Sequence, residues 1–491
     1  MKTIITIIFI FIVSISYSQD ISGKLGTGGK FIIRDTNSIF LTLNQSNGTL
    51  SFSEPAGGNL SGSIFKGSSR FLHTYFANST TGFNTFLGVE SGNFTMTGTG
   101  LESSANTGTG YQTLTSLTTG SHNSAFGLQS LFSNTTGSFN CSFGAGTMVY
   151  NTSGKFNAAY GNLSMTFNTT GDSNSAYGFH SLFSNTSGVS NSAFGNKSLH
   201  LNSTGFFNSA FGSRALFNNT TGFNNDAFGY GALCFNIIGS NNSAFGTGSL
   251  YNNTTGTNNC AFGRTSLHNN TIGANNCAFG PLSLYNNVLG NHNTAIGYQS
   301  GSNITSGSNN ITIGYDAFVP SATGSNQVRI GNTNITYAGI QVPWTVTSDR
   351  RWKDNIKPVT LGLNFISLLN PVSYTRKNDE TQKTEFGLIA QEFERVLNEC
   401  GVTTMQTGMI RIDENGNYEL RYNDLFAPVI KAIQELKTEN DQLKEQNEKE
   451  KERLNSEISI LKNELTQIKT AVNQIIENKI NISETKYSEN K

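Results

Sequence analysis

Residues 208–224 read Asn208-Ser209-Ala210-Phe211-Gly212-Ser213-Arg214-Ala215-Leu216-Phe217-Asn218-Asn219-Thr220-Thr221-Gly222-Phe223-Asn224, and at Asn225 the pattern begins again. Outward from this stretch, glycines fall at 127, 144, 161, 178, 195, 212, 229, 246, 263, 280, 297 and 314, each 17 residues after the last. Asparagine stands four residues before every one, from Asn123 to Asn310. The residue just before the glycine is aromatic in ten copies, such as Phe126, Tyr160 and Phe279, and becomes Ile296 and Ile313 in the last two. Leucine or methionine recurs four residues after it, from Leu131 to Leu284, and a second glycine column runs from Gly137 to Gly307. Weaker copies surround Gly88 and Gly110.

A fixed period without insertions means that each repeat is one coil stacked on the next. Seventeen residues are too few for two helices and a turn, and the Gly, Asn, Ser and Thr content opposes helix. The period instead predicts two short strands and two tight corners per coil. The Phe and Leu columns are expected inside, the glycines and asparagines at corners of positive φ, and the asparagines hydrogen-bonded along the stack. Twelve coils at ~4.8 Å each give a rod on the order of 55 Å. A disordered Asn/Gly/Ser tract would not hold aromatic and leucine columns in strict register. The copies, Asn293-Thr294-Ala295-Ile296-Gly297 above all, resemble the head repeats of trimeric autotransporter adhesins, which build a β-roll in each of three chains. The Phe-for-Ile copies and the repeat length depart from that pattern, and no translocator barrel is recognisable after them.

Acidic residues in the twelve copies are limited to Asp172, Asp226 and Asp316, too few for a calcium-binding roll or for the paired carboxylates of glycosidases. Corners such as Asn219-Thr220-Thr221-Gly222 leave an ice-binding face open as an alternative, beside the simpler reading of solvated turns. Cys141, Cys234, Cys260, Cys277 and Cys400 form no C-x-x-C pair and the six histidines are scattered, so no metal site and no cofactor is indicated. Cys141, Cys260 and Cys277 share one repeat column with serine and read as small fillers rather than disulfide partners. Met1-Lys2, the apolar run Thr3–Ile15 and Ser16-Tyr17-Ser18 follow the pattern of a secretory signal cut before Gln19, and no later stretch reads as a transmembrane segment.

The 32 basic and 32 acidic residues cancel, which removes the basic footprint of a nucleic-acid partner. They are unevenly placed, 19 in residues 1–340 and 45 in 341–491. In the charged part, Gln327–Gly331 and Ala338–Val346 read as strands. Thr347-Ser348-Asp349-Arg350-Arg351-Trp352-Lys353 follows, and read alone it is a helix cap before a solvated basic face. Gly362–Tyr374, Phe386–Phe393 and Arg421–Leu425 come after it in order.

This ordered set resembles the intramolecular chaperone autoprotease at the C-termini of phage tail spikes and endosialidases, shared by myelin regulatory factors and classed as serine peptidase family 74. The resemblance covers about residues 346–440, with Val396–Cys400 departing where the family often has a proline. It implies self-cleavage between Thr347 and Ser348, with Ser348 and Lys353 as the catalytic pair and Asp349 only capping or orienting. A lysine of ordinary pKa ~10.4 is a poor base at neutral pH, so Lys353 is expected to be desolvated on assembly.

From Phe426 the spacing becomes that of a coiled coil: Phe426, Val429, Ile433, Leu436, Asn440 and Leu443, then, after a stutter, Leu454, Ile458, Leu461, Leu465, Ile468, Val472 and Ile475. Seam residues Asn440 and Asn447 read as register devices. The seam does not separate two strands from three; the resemblance implies three. The expected fold is mainly β, a β-solenoid shaft followed by a small α+β chaperone domain and a long trimeric coiled coil. Expected boundaries are signal 1–18, β-rich region 19–106, solenoid 107–318, connector 319–345, chaperone domain 346–436, coiled coil 426–482 and polar tail 483–491. The function expected is a secreted, bacterial cell-surface, adhesin-like homotrimeric fibre, a host surface or glycan being its candidate ligand. A phage-derived tail fibre, against which the signal pattern argues, and a structural or ice-binding rod with an uncleaved chaperone domain are the alternatives.

Overall fold

The computed structural model describes residues 30–34, 39–44, 49–52 and 63–488; the signal-like segment 1–18 and the end of the polar tail lie outside the described residues. Contacts divide the chain between Asn332 and Thr333.

The first unit is a β-solenoid. Each coil contributes one three-residue parallel strand, not the two expected. Ser209–Phe211, for example, pairs in register with Ser192–Phe194 on one side and Asp226–Phe228 on the other. The rest of the coil cannot extend because left-handed residues interrupt it: Phe207 (φ 55°), Arg214 (φ 60°) and Leu216 (φ 52°), repeated at the same three positions in neighbouring coils. Their amides still bond between coils, as when Leu216 N–H donates to Ala232 O at 3.0 Å.

Side chains alternate across a strand, so only the middle residue of three faces inward. That residue is Ala210, fully buried, and the same holds for Ala193, Ala227 and Ala244. The aromatic column therefore lies outside the coil rather than beside the leucines. Phe211 stacks on Phe228 with centroids 4.7 Å apart and planes within 5°. Inside, the leucine column is fully buried as expected. A left-handed leucine costs roughly 1–2 kcal/mol and its burial contributes about 1.5–3 kcal/mol, so leucine alone leaves little surplus per coil.

The remainder comes from asparagine. Asn208 Nδ2 donates to Asn191 Oδ1 at 3.1 Å and to Gly222 O at 2.9 Å, while Asn208 Oδ1 accepts from both N–H and Nδ2 of Asn225. The unit repeats along the stack, every member buried, as the sequence predicts. A second buried ladder, not anticipated, runs through Asn202, Asn219 and Asn236, with Asn219 Nδ2 donating to Asn202 Oδ1 and Gly222 O. The ladder asparagines do not occupy the left-handed corners. Gly212 does need glycine for its φ of +132°, whereas Gly222 needs it for space, since a Cβ there would collide with Asn219 Oδ1 and Gly239 O.

The stack extends beyond the twelve copies. Thr85–Leu87 and Thr107–Thr109 precede them and Val328–Ile330 follows, all parallel. The hairpin Ile64–Lys66/Ser69–His73 pairs antiparallel with Thr85–Leu87 and caps this end. Buried His73 holds the cap, its Nε2–H donating to Ser91 O at 2.6 Å, its Nδ1 accepting from Tyr75 N–H, and its ring against Phe86 and Phe94. At the other end Gln327 takes the asparagine position. Its Nε2 donates to Ser321 O and Gly324 O, and its Oε1 accepts from Ser321 N–H. Lys30–Arg34, Ile39–Asn44 and Thr49–Phe52 form a separate antiparallel sheet.

The second unit is a small α+β body with a long helix. Its core joins Phe365 of helix α1 (Leu363–Leu368), Phe393, Val396 and Leu397 of α2 (Ala390–Glu399), and Met409 and Ile410. Two hairpins, Val372–Tyr374/Glu385–Gly387 and Ile410–Ile412/Tyr418–Leu420, complete it. Helix α3 (Phe426–Ser488) has 63 residues; its Glu435 accepts the Leu363 N–H at 2.6 Å and so caps α1. Its seam residues stay exposed, Leu461 by 61% and Ile468 by 60%, which is compatible with a coiled coil. Ala338–Val346 forms no strand, contrary to its sequence pattern, because it has no paired neighbour within this unit. No helix among the described residues is long and apolar enough to cross a membrane.

Two outcomes are expected. Asn208→Ala leaves the buried Asn225 N–H without an acceptor, while Gly222 O keeps Asn219 Nδ2 and Asn225 Nδ2 keeps Gly239 O, and should destabilise the neighbouring coils by about 1–3 kcal/mol, the cost of one orphaned group. Hydrogen exchange of flanking strands reads this, with Thr221→Ala, exposed and at ordinary φ, as a near-silent control. Burial lowers the His73 pKa from 6.5 to about 4, the Ser91 bond partly opposing and nearby Arg70 adding to the fall. The cap is thus fully stable above pH 6.5 and weakens as pH falls towards 4. Proteolysis of residues 63–87 should rise over that window, and His73→Gln should flatten the response.

Candidate functional site

The site begins with a short turn. Asp349 is the N-cap of a 3-10 turn, Arg350–Trp352; its carboxylate accepts the Arg351 N–H at 2.8 Å and grips the Arg351 guanidinium at 2.7 Å. These bonds hold the Asp349 carboxyl below the usual carboxylate range. Lys353 ends the turn, its own N–H donating to Arg350 O at 3.1 Å. The reversal brings together two side chains five residues apart. Lys353 Nζ donates to Ser348 Oγ at 2.6 Å.

Each sequence-predicted residue can now be placed. Ser348 and Lys353 meet directly. Thr347, whose carbonyl would be attacked, immediately precedes them, and Asp349 caps the turn from outside the pair. Arg351 was not singled out from sequence, though it anchors Asp349 from both backbone and side chain; the Asp-x-Arg spacing is the signal that carried it. Ser348 and Lys353 are exposed in the single chain, and around them in sequence Trp344, Val346, Trp352 and Ile356 are exposed as well. Such apolar exposure is costly and marks surface that a partner can cover.

Elsewhere the chemistry is sparse. All five cysteines are free thiols, and burial together with neighbouring Cys277 pushes the Cys260 thiol up to about 11. No cluster of three or more His, Cys, Asp or Glu side chains with metal-binding geometry occurs among the described residues. The first threonine of each corner bonds along the stack: Thr220 Oγ1 donates to Ile237 O at 3.0 Å and Thr254 Oγ1 to Thr271 O at 2.9 Å, while the second, such as Thr221, is exposed.

No curated protein and no solved structure matches the chain. A family does match in part, over residues 348–402, from Ser348 through the turn, α1, the first hairpin and α2. The Arg421–Leu425 motif and α3 lie outside that match. Residues 348–402 of this β-solenoid chain are thus similar to the family described as chaperone of endosialidase, Peptidase_S74.

Proposed function

We propose that the chain is a tail-spike-like homotrimeric fibre whose C-terminal domain aligns three copies, drives their assembly, and then cuts itself away between Thr347 and Ser348. The observation that carries this reading is the 2.6 Å contact from Lys353 Nζ to Ser348 Oγ at the first residue of the chaperone-family match. Lys353, once deprotonated, takes the Ser348 hydroxyl proton as Oγ attacks the Thr347 carbonyl carbon. The Thr347–Ser348 C–N bond breaks, the leaving nitrogen gains that proton and becomes an amine, and an ester joins Thr347 to Ser348 Oγ. Water hydrolyses the ester to a Thr347 carboxylate and a free hydroxyl.

An exposed ammonium is a poor base, so the pair needs desolvation, which the single chain does not provide. Covering by partner copies supplies it and ties cleavage to completed assembly. Alignment of three long chains is slow, because non-local pairing carries a loop-closure cost; a C-terminal coiled coil keeps the copies together while the solenoids form. Losing the clamp then blocks the reverse path and leaves the shaft kinetically stable. A surface-exposed or virion location fits this reading, with an adhesin-like role for the shaft.

Denaturing electrophoresis tests it. Wild type should give fragments ending at Thr347 and starting at Ser348, whereas Ser348→Ala and Lys353→Met should stay full length. Full-length wild type sinks the autoproteolysis; cutting of Ser348→Ala at the same bond assigns it to another protease.

A further inference from the structure

The outward face of the solenoid strands has no role in the coil itself. From Ser124 to Ile313 its two columns carry one charged residue, Asp226. One column is the aromatic ladder. Phe194, Phe211, Phe228 and Phe245 stack at 4.6–4.7 Å with planes within 6°. Each ring's faces are therefore covered by its neighbours, and only ring edges reach outward. A sugar platform needs exposed ring faces and a nucleic-acid site needs cations, so neither ligand suits this surface.

We propose that this ladder is the seam by which the shaft of one copy packs against the shafts of identical copies, a proposal that rests on the assembly reading above. Three observations select a second copy as occupant. An apolar ladder of ~4.8 Å spacing is matched along its whole length only by a surface of the same period. The area is sufficient: 15 strands at ~4.8 Å and a width of about 10 Å give roughly 700 Å² per copy, near the ~800 Å² per partner of stable complexes. The face also turns fully aliphatic towards the assembly domain in sequence, where Ile311, Ile313, Val328 and Ile330 fill both outward positions, the last two 65% and 62% exposed.

The test uses the full chain with Ser348→Ala, so that the clamp stays attached, and with Cys141→Ser, Cys260→Ser and Cys277→Ser to clear the face of thiols. Ser209→Cys on the ladder face and Thr221→Cys at an exposed corner are compared by reaction with a short bismaleimide, with light scattering giving the mass. The expected result is an oligomer in which Ser209→Cys joins chains at least tenfold faster than Thr221→Cys. Adding Phe211→Lys and Phe228→Lys, which leave the buried ladder untouched, should abolish that cross-link while the coiled coil keeps the mass unchanged. An oligomer in which both sites cross-link alike, or in which the lysines change nothing, overturns the seam alone. A monomer overturns the assembly reading beneath it.

Discussion

Everything in the shaft follows from one requirement: a buried carboxamide has to find its partners one coil away. Asn208 is enclosed, so each N–H and lone pair it cannot satisfy costs free energy, and its neighbours on the stack offer the bonds only if the coil length never varies. That requirement fixes the 17-residue period, forbids insertions among the twelve copies, and forces glycine at Gly222 so that the carbonyl and carboxamide can approach. Left-handed leucines are tolerated because the ladders and inter-coil amides over-determine the backbone around them.

Much of this was legible. The asparagine and glycine columns announce stacking, and the leucine column announces burial. What the period alone does not contain is direction. It states which residues sit above one another, not which side of the chain they face. Phe211 looks like core by composition; it lies outside because Ala210, a less conspicuous residue, holds the one inward position of a three-residue strand. The second asparagine ladder was similarly obscured by the many asparagines around Asn218 and Asn219. Ala338–Val346 misled for another reason, since alternation describes a strand only where a neighbour exists to pair with.

The candidate site shows the same division. Ser348 and Lys353 are recognisable from the ordered motifs around them. The fold adds the reason for their contact, a single turn closed by Asp349 and Arg351, which local sequence presents merely as a cap. Cap and Ser348–Lys353 contact are thus two descriptions of one turn, the first supplying geometry to the second. Solvation is the property that sequence carries least, because it depends on what covers Trp344 and Trp352 and not on the residues themselves.

The glutamine at the end of the asparagine ladder has a wider meaning. A stack of identical coils is chemically a polymer, and its last rung normally offers the same bonds as every rung before it, an invitation to end-on growth into filaments. Gln327, one methylene longer, folds its amide back onto Ser321 and Gly324 and consumes those bonds locally. With the His73 hairpin pairing antiparallel at the opposite end, neither end of the stack repeats the bonding of its middle, and end-on addition of another shaft is disfavoured.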